Sequence, residues 1–182
     1  MAAIKLNNVV ALSETGGVAT FGTPSATLKY PAGHVLQIQH YEVTETNSLT
    51  ATYVNYWENS ITLKSSSSDI YVNMTFCWGM GASASFGVEI YRNTSATVTA
   101  SHTAVWTKNL ESGGAPYTWD GWSGGGGYGV SSIIAKDTIT GSSTGDVLYY
   151  GFFAREGAGA AVLPPDDTVD GWMAMQLTEV AK

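Results

Sequence analysis

Cysteine is nearly absent: Cys77 stands alone in 182 residues, so no internal disulfide can form. Basic residues are also scarce. Lys and Arg total 8 against 15 Asp and Glu, a formal net charge of −7. A polyanion binder needs Lys and Arg to neutralise phosphates, so nucleic acid is not an expected partner. No run of about 18 apolar residues occurs, and membrane insertion is not expected. The opening MAAIKLNNVVALSETGG lacks a charged segment followed by an apolar one, so no signal peptide is expected. On that reading, the glycosylation patterns at Asn73-Met74-Thr75 and Asn93-Thr94-Ser95 are chance matches. Helical signals are missing too. No window of 12 residues keeps an i, i+3, i+4, i+7 apolar stripe free of Gly or β-branched runs.

What is present suits a pleated, half-buried surface. Ser, Thr and Gly, at 18, 21 and 21, fill 60 of the 182 positions, and aromatics reach 12%, with 6 Trp and 10 Tyr. Hydrophobic content of 44% allows a real core in a chain of about one domain's length. Strands are expected at Asn8–Leu12, Val18–Phe21, His34–Val43, Leu49–Trp57, Ile61–Lys64 and Asp69–Gly79. Further strands are expected at Ala84–Arg92, His102–Asn109, Gly129–Ala135, Val147–Arg155 and Trp172–Val180. Many short strands separated by Gly, Ser, Asn and Asp clusters predict an all-β antiparallel sandwich, jelly-roll-like.

Two strands carry the clearest patterns. From Ile70 to Trp78, the set Ile70, Val72, Met74, Phe76 and Trp78 is wholly apolar, while Tyr71, Asn73, Thr75 and Cys77 are mixed. One face therefore packs on a core and the other meets solvent or a partner. In His34–Val43, Leu36 and Ile38 share a face with His40 and Glu42, with Gln37 and Gln39 opposite. Residues 1–28 are sparse in aromatics and read as an N-terminal arm or anchoring segment with two weak strands. Residues 29–182 form the sandwich, interrupted by a Gly- and aromatic-rich insertion at 111–129.

Four segments, in order, resemble a family of small virion proteins of marine and cyanobacterial phages, often labelled tail-fibre or structural proteins. Tyr30-Pro31-Ala32-Gly33-His34-Val35-Leu36-Gln37-Ile38-Gln39 resembles the family's P-A-G-x-V-L-Q-V opening. Ile61 to Ile70, with four serines, resembles its serine-rich turn feeding a long apolar strand. Phe86-Gly87-Val88-Glu89-Ile90-Tyr91-Arg92-Asn93 resembles its strand ending in a Tyr-Arg-Asn turn. Trp172 to Val180 resembles its last strand. The resemblance covers about residues 30–182. The insertion at 113–129 and the loop Pro164-Pro165-Asp166-Asp167 depart from the pattern. The resemblance implies a jelly-roll-like sandwich, homotrimeric assembly, and a place on the virion beside capsid or tail proteins. It does not say which part of the virion: a tail-fibre or knob component and a capsid fibre or decoration component are the two readings, and neither catalysis nor a cofactor is expected.

Candidate chemistry is thin. Gly121-Trp122-Ser123-Gly124-Gly125 fits G-x-S-x-G, but His34, His40 and His102 all precede Ser123 and no helix follows, so a hydrolase elbow is excluded. A protease order through His40 or His102, Asp69 and Ser123 would need a rigid oxyanion turn, which successive glycines build poorly. No catalytic residue is assigned. Tyr117, Trp119, Asp120, Trp122 and Tyr128 are the candidate glycan or receptor contacts. Sugar C–H faces lie on aromatic rings while a carboxylate fixes hydroxyls. Packing onto the domain or a neighbouring subunit is the ordinary use of such aromatics. Asp166, Asp167 and Asp170 are a weak oxygen-rich metal candidate; a solvated acidic loop explains them as well. Glu89, Glu111 and Asp120 are the carboxylates from which a glycosidase pair would have to come. The histidines lack metal-ligand spacing, and Cys77 is expected to be a buried, inert thiol. A carbohydrate-binding receptor adhesin or capsule-degrading module is the alternative reading.

Overall fold

The computed structural model describes all residues except 1, 7–8, 16–17, 22–30, 45–46, 81–84, 108–126, 159–160 and 164–170. The chain divides into two units, Met1–Pro31 and Ala32–Lys182. The first is an antiparallel sheet of β1 (Ala2–Leu6), β2 (Val9–Thr15) and β3 (Val18–Phe21), in that order. Sequence reasoning expects two of these strands. Ala2–Leu6 contains Ala and Lys, weak strand formers, and pairs along β2 with a register shift between Ile4 and Lys5.

The second unit contains β4 (Val35–Val43), β5 (Asn47–Ser48), β6 (Val54–Thr62), β7 (Ser68–Met80) and β8 (Ser85–Asn93). It continues with β9 (Thr103–Thr107), β10 (Gly127–Thr138), β11 (Val147–Ala158), β12 (Ala161–Leu163) and β13 (Met173–Ala181). No helix occurs among the described residues. Eight longer strands form two antiparallel sheets: β4-β13-β7-β10, and β6-β11-β8-β9. Numbered one to eight along the chain, they run 1-8-3-6 in one sheet and 2-7-4-5 in the other. Every connection but β8–β9 crosses between sheets. This is the wiring of a jelly roll. The short β12 and β5 extend the first sheet beside Gly79 and Met80 at the end of β7.

The apolar alternation on β7 does what it predicts. Ile70, Val72, Met74, Phe76 and Trp78 are all buried in one cluster with Phe86, Val88 and Ile90 of β8 and Leu148, Tyr150 and Phe152 of β11. The Phe76 ring lies 5.3 Å from Phe152 and 6.2 Å, edge-on, from Phe86, distances at which aromatic pairs add to simple burial. Cys77 is buried, on the opposite side of β7.

Two expectations need correction, and one left open is decided. Leu49–Trp57 and Ile61–Lys64 are not two strands; a single β6 runs from Val54 to Thr62. The polar Glu58-Asn59-Ser60 suggests a break. Instead β6 pairs with β11 through these positions, and the Glu58 carboxylate binds the backbone of Thr97 and Val98. Gly127, Tyr128 and Gly129, expected to close the insertion, belong to β10. On β4 the glutamine side turns inward. Gln37 donates to Glu179 and to the Thr62 carbonyl, and Tyr41 donates to the Ser60 carbonyl, while Ile38, His40 and Glu42 are exposed.

Glycine is needed at two close approaches. A Cβ at Gly129 would collide with the Trp78 indole across the β7–β10 ladder. One at Gly151 would meet Phe153 at 2.8 Å and Val98 at 3.0 Å. Gly151 thus lets the segment after β8 lie flat on the outer side of β11.

Candidate functional site

Two features of the jelly roll present chemistry at its surface. The first is the outer face of the β4-β13-β7-β10 sheet. A solvated antiparallel face normally reads polar. On β10, however, Tyr128, Val130 and Ile134 point outward and are 62%, 61% and 72% exposed. Tyr71 on β7 and Val35 and Ile38 on β4 extend the apolar surface across the sheet. Hydroxyls fill the gaps: Thr75 Oγ1 lies 2.9 Å from Ser132 Oγ across the β7–β10 pair. Charge flanks this surface: on β4, beside Ile38, the exposed His40 Nε2 lies 3.0 Å from Glu42 Oε1. At the end of β7, Asp69 pairs with Lys136 at 2.7 Å and Lys182 at 3.2 Å. Burial pushes the Asp69 carboxyl up, but hydrogen bonds to the two ammonium groups outweigh it and hold it below its ordinary value.

The second feature is a cleft of about 580 Å³ at one end of the sandwich. That volume falls in the range of ~300–1,000 Å³ that small-ligand sites occupy. One wall is Arg92, Asn93 and Thr94, where β8 ends. Ser101, His102 and Thr103 form the second wall as the chain enters β9. The third is Thr140, Gly141 and Ser142, in the turn after β10.

Period-two geometry explains what holds Arg92 from behind the cleft. Arg92 follows Phe86, Val88 and Ile90 on the inward side of β8. Asp137 follows Ile133 and Ala135 on the inward side of β10, and Tyr150 lies between Leu148 and Phe152 on β11. The three meet. Tyr150 donates to Asp137 Oδ2 at 2.8 Å, and Arg92 Nε lies 3.0 Å from the same oxygen. The Arg92 Nε–H is buried and has no aligned acceptor, so charge rather than a directed hydrogen bond joins it to Asp137. Burial raises the Asp137 carboxyl above its ordinary value, with the Tyr150 hydrogen bond and the Arg92 charge opposing. Burial, the Asp137 charge and their hydrogen bond push the Tyr150 hydroxyl well up, so it remains a neutral donor.

The loop from Thr94 to His102 is held rigidly. Thr97 has φ of 73°, strained for a β-branched residue. Glu58 fixes it by accepting from Thr97 N at 3.1 Å and Val98 N at 2.6 Å. Val98 is buried against Tyr91 and Phe153 on the outer face of the second sheet. His102 Nδ1 accepts from Thr99 N at 2.9 Å. In the neutral ring the proton then sits on Nε2, leaving a donor.

Of the residues singled out from sequence, Tyr128 is exposed on β10 opposite Gly79 rather than in a loop. Tyr117, Trp119, Asp120, Trp122 and Ser123 lie outside the described residues, as do Asp166, Asp167, Asp170 and Glu111. Glu89 sits on β8 and accepts from the Tyr91 hydroxyl at 2.7 Å. Among the described residues, no three His, Cys, Asp or Glu side chains gather to hold a metal ion, and no helix is long and apolar enough to cross a membrane. Sequence reasoning misses Arg92 as a site residue. The available signal is a charge in an apolar register, repeated at Asp137.

No protein-family model matches the chain, and no curated protein sequence matches it. Among solved structures, a chain in the structure of infectious bursal disease virus Gx strain is similar at 10% identity, with a TM-score of 0.27. The similarity covers 96% of this chain and 43% of that one, so the present chain spans less than half the viral chain's length. The jelly-roll assignment rests on the strand order and ladders of this chain, not on that likeness.

Proposed function

We propose that the chain is a non-enzymatic structural protein of a bacteriophage particle, assembling as a homotrimer in a tail-fibre knob or a capsid fibre or decoration component. The observation that carries this reading is the outward side of β10, where three apolar residues are more than 60% exposed. Apolar surface spread over a sheet marks an interaction site. A closed ring of copies covers such a surface on every subunit without leaving an open, filament-forming edge. The resemblance supports the same reading. Its second segment is the serine-rich turn clamped by Glu179, its third is β8, and its fourth runs into β13. In this proposal residues 1–28 dock on the capsid or tail.

Sedimentation of the purified chain at micromolar concentration tests the assembly. A trimer that Ile134→Asp together with Val130→Asp converts to folded monomers supports the proposal. A wild-type chain that sediments as a monomer contradicts the trimer.

A further inference from the structure

We infer that the cleft between the end of β8, the start of β9 and the turn after β10 binds a saccharide unit bearing a carboxylate, a uronate-type sugar. The inference concerns the chain by itself and stands apart from its place on a particle.

The chemistry of the walls sets the ligand class. The cleft contains one cation, Arg92, and no carboxylate on its lining, in a chain with net charge −7. Arg92 is anchored, not swinging: its side chain is 11% exposed and its Nε lies 3.0 Å from Asp137 Oδ2. Among the described residues Asp137 is its one ion-pair partner, yet no aligned hydrogen bond is spent on it. Nε is buried against Asp137, so the donors left for a ligand are those of the two terminal Nη groups, a planar pair that matches a carboxylate. His102, with Nδ1 committed to the Thr99 amide, contributes a second donor through Nε2.

The remaining lining is hydroxyl-rich. Thr94, Ser101, Thr103, Thr140 and Ser142 each place a group that both donates and accepts, as sugar hydroxyls do. Phosphate fits less well. A dianion calls for several cations or a nest of backbone N–H groups, and the lining has one guanidinium. No aromatic ring lines the cleft, so a neutral sugar lacks the stacking surface that would hold it. The carboxylate must then supply the anchoring contact.

Preorganisation points the same way. The strained Thr97 and its Glu58 clamp fix the loop bearing Thr94, Ser101 and His102. The opposite wall is fixed by Ser143 N donating to Asp146 Oδ2 at 2.7 Å, and by Gly145 N and the Leu63 carbonyl at 2.9 Å. Strain retained in an over-determined loop is a mark of functional sites. Rigid walls reduce the ordering cost of binding. With one charged anchor and no stacking, affinity for a single sugar unit is expected at about 1 mM.

The test is a titration of the full chain with methyl β-D-glucuronide, followed by amide chemical shifts. Methyl β-D-glucoside, the same ring without the carboxylate, and inorganic phosphate are the parallel arms. The glucuronide should saturate shifts at Arg92, Ser101, His102 and Thr140, with the glucoside at least tenfold weaker. Arg92→Gln should weaken glucuronide binding at least tenfold, but it leaves Asp137 without its cation and lowers stability. Thr140→Trp, at an exposed rim position, blocks the cleft without touching the buried cluster. It should abolish saturation while leaving the remaining spectrum folded. The inference is overturned if the glucuronide produces no saturable shifts, or if its shifts survive Thr140→Trp. It is also overturned if the glucoside or phosphate binds as tightly as the glucuronide.

Discussion

Glu179 is fully buried at the end of β13, where a bare carboxylate would be costly. Four donors surround it. Lys64 N reaches both oxygens at 3.0 Å, Ser65 N reaches Oε1 at 3.0 Å and Ser68 Oγ reaches Oε1 at 2.9 Å. Gln37 Nε2 reaches Oε2 at 2.6 Å. One carboxylate thus closes the turn between β6 and β7 and ties it to β4. Glu179→Gln keeps the shape but replaces one acceptor oxygen by a donor. Whichever way the amide turns, at least one surrounding N–H or O–H faces another donor. Hydrogen bonds to charged groups contribute ~1.5–3 kcal/mol each and neutral ones ~1 kcal/mol. One lost bond and several weakened ones predict a loss of about 2–4 kcal/mol. At ~2–4 °C per kcal/mol for a chain of this size, the melting temperature should fall by about 4–16 °C. Calorimetry and urea titration read this directly, and hydrogen exchange at the Lys64 and Ser65 amides should speed up. Ser68→Ala should cost about 1 kcal/mol alone and less on the Glu179→Gln background. A Glu179→Gln protein within 0.5 kcal/mol of the parent would refute the clamp.

Tyr150→Phe removes the donor to the buried Asp137 and should cost about 1.5–3 kcal/mol in urea titration, while raising the Asp137 carboxyl further. Gly129→Ala drives a methyl into the Trp78 indole and should cost about 1–3 kcal/mol, with a change in near-ultraviolet circular dichroism as the indole shifts. The depressed Asp69 carboxyl contributes stability above its ordinary titration range, and that contribution is lost as pH falls through its lowered value. The stability gap between wild type and Asp69→Asn should therefore be present at pH 7 and shrink below about pH 4; a gap that grows on acidification would reverse the sign of the argument. Ile134→Asp, on a 72% exposed outward position, should change the thermal stability of the monomer by no more than about 0.5 kcal/mol while weakening self-association.

The alternation on β7 is visible in sequence because burial on one side imposes a two-residue period. The all-β class follows from composition, and the last strand from the run Met173, Met175, Leu177. Other features escape for identifiable reasons. β6 looks broken at Glu58-Asn59-Ser60 because the partner of Glu58, the backbone of Thr97 and Val98, is 39 and 40 residues away. β5 and β12 are two and three residues long, and they exist because Gly79 and Met80 extend the ladder to them. The outward face of β4 carries Ile38 because Gln37 is drawn inward by Glu179, which hydropathy alone does not anticipate. The cleft is assembled from three turns spread over 51 residues, so no local motif announces it. Its trace in sequence is a charged residue in an inward register, at Arg92 and again at Asp137.

Cryo-electron microscopy of the intact particle, with this chain located in the density, tests the central claim. The account predicts trimers with the β10 face covered by neighbouring copies, either at the distal end of a tail appendage or on the capsid surface. Particles that lack the chain would contradict a virion role, and single copies with the β10 face bare would contradict the assembly.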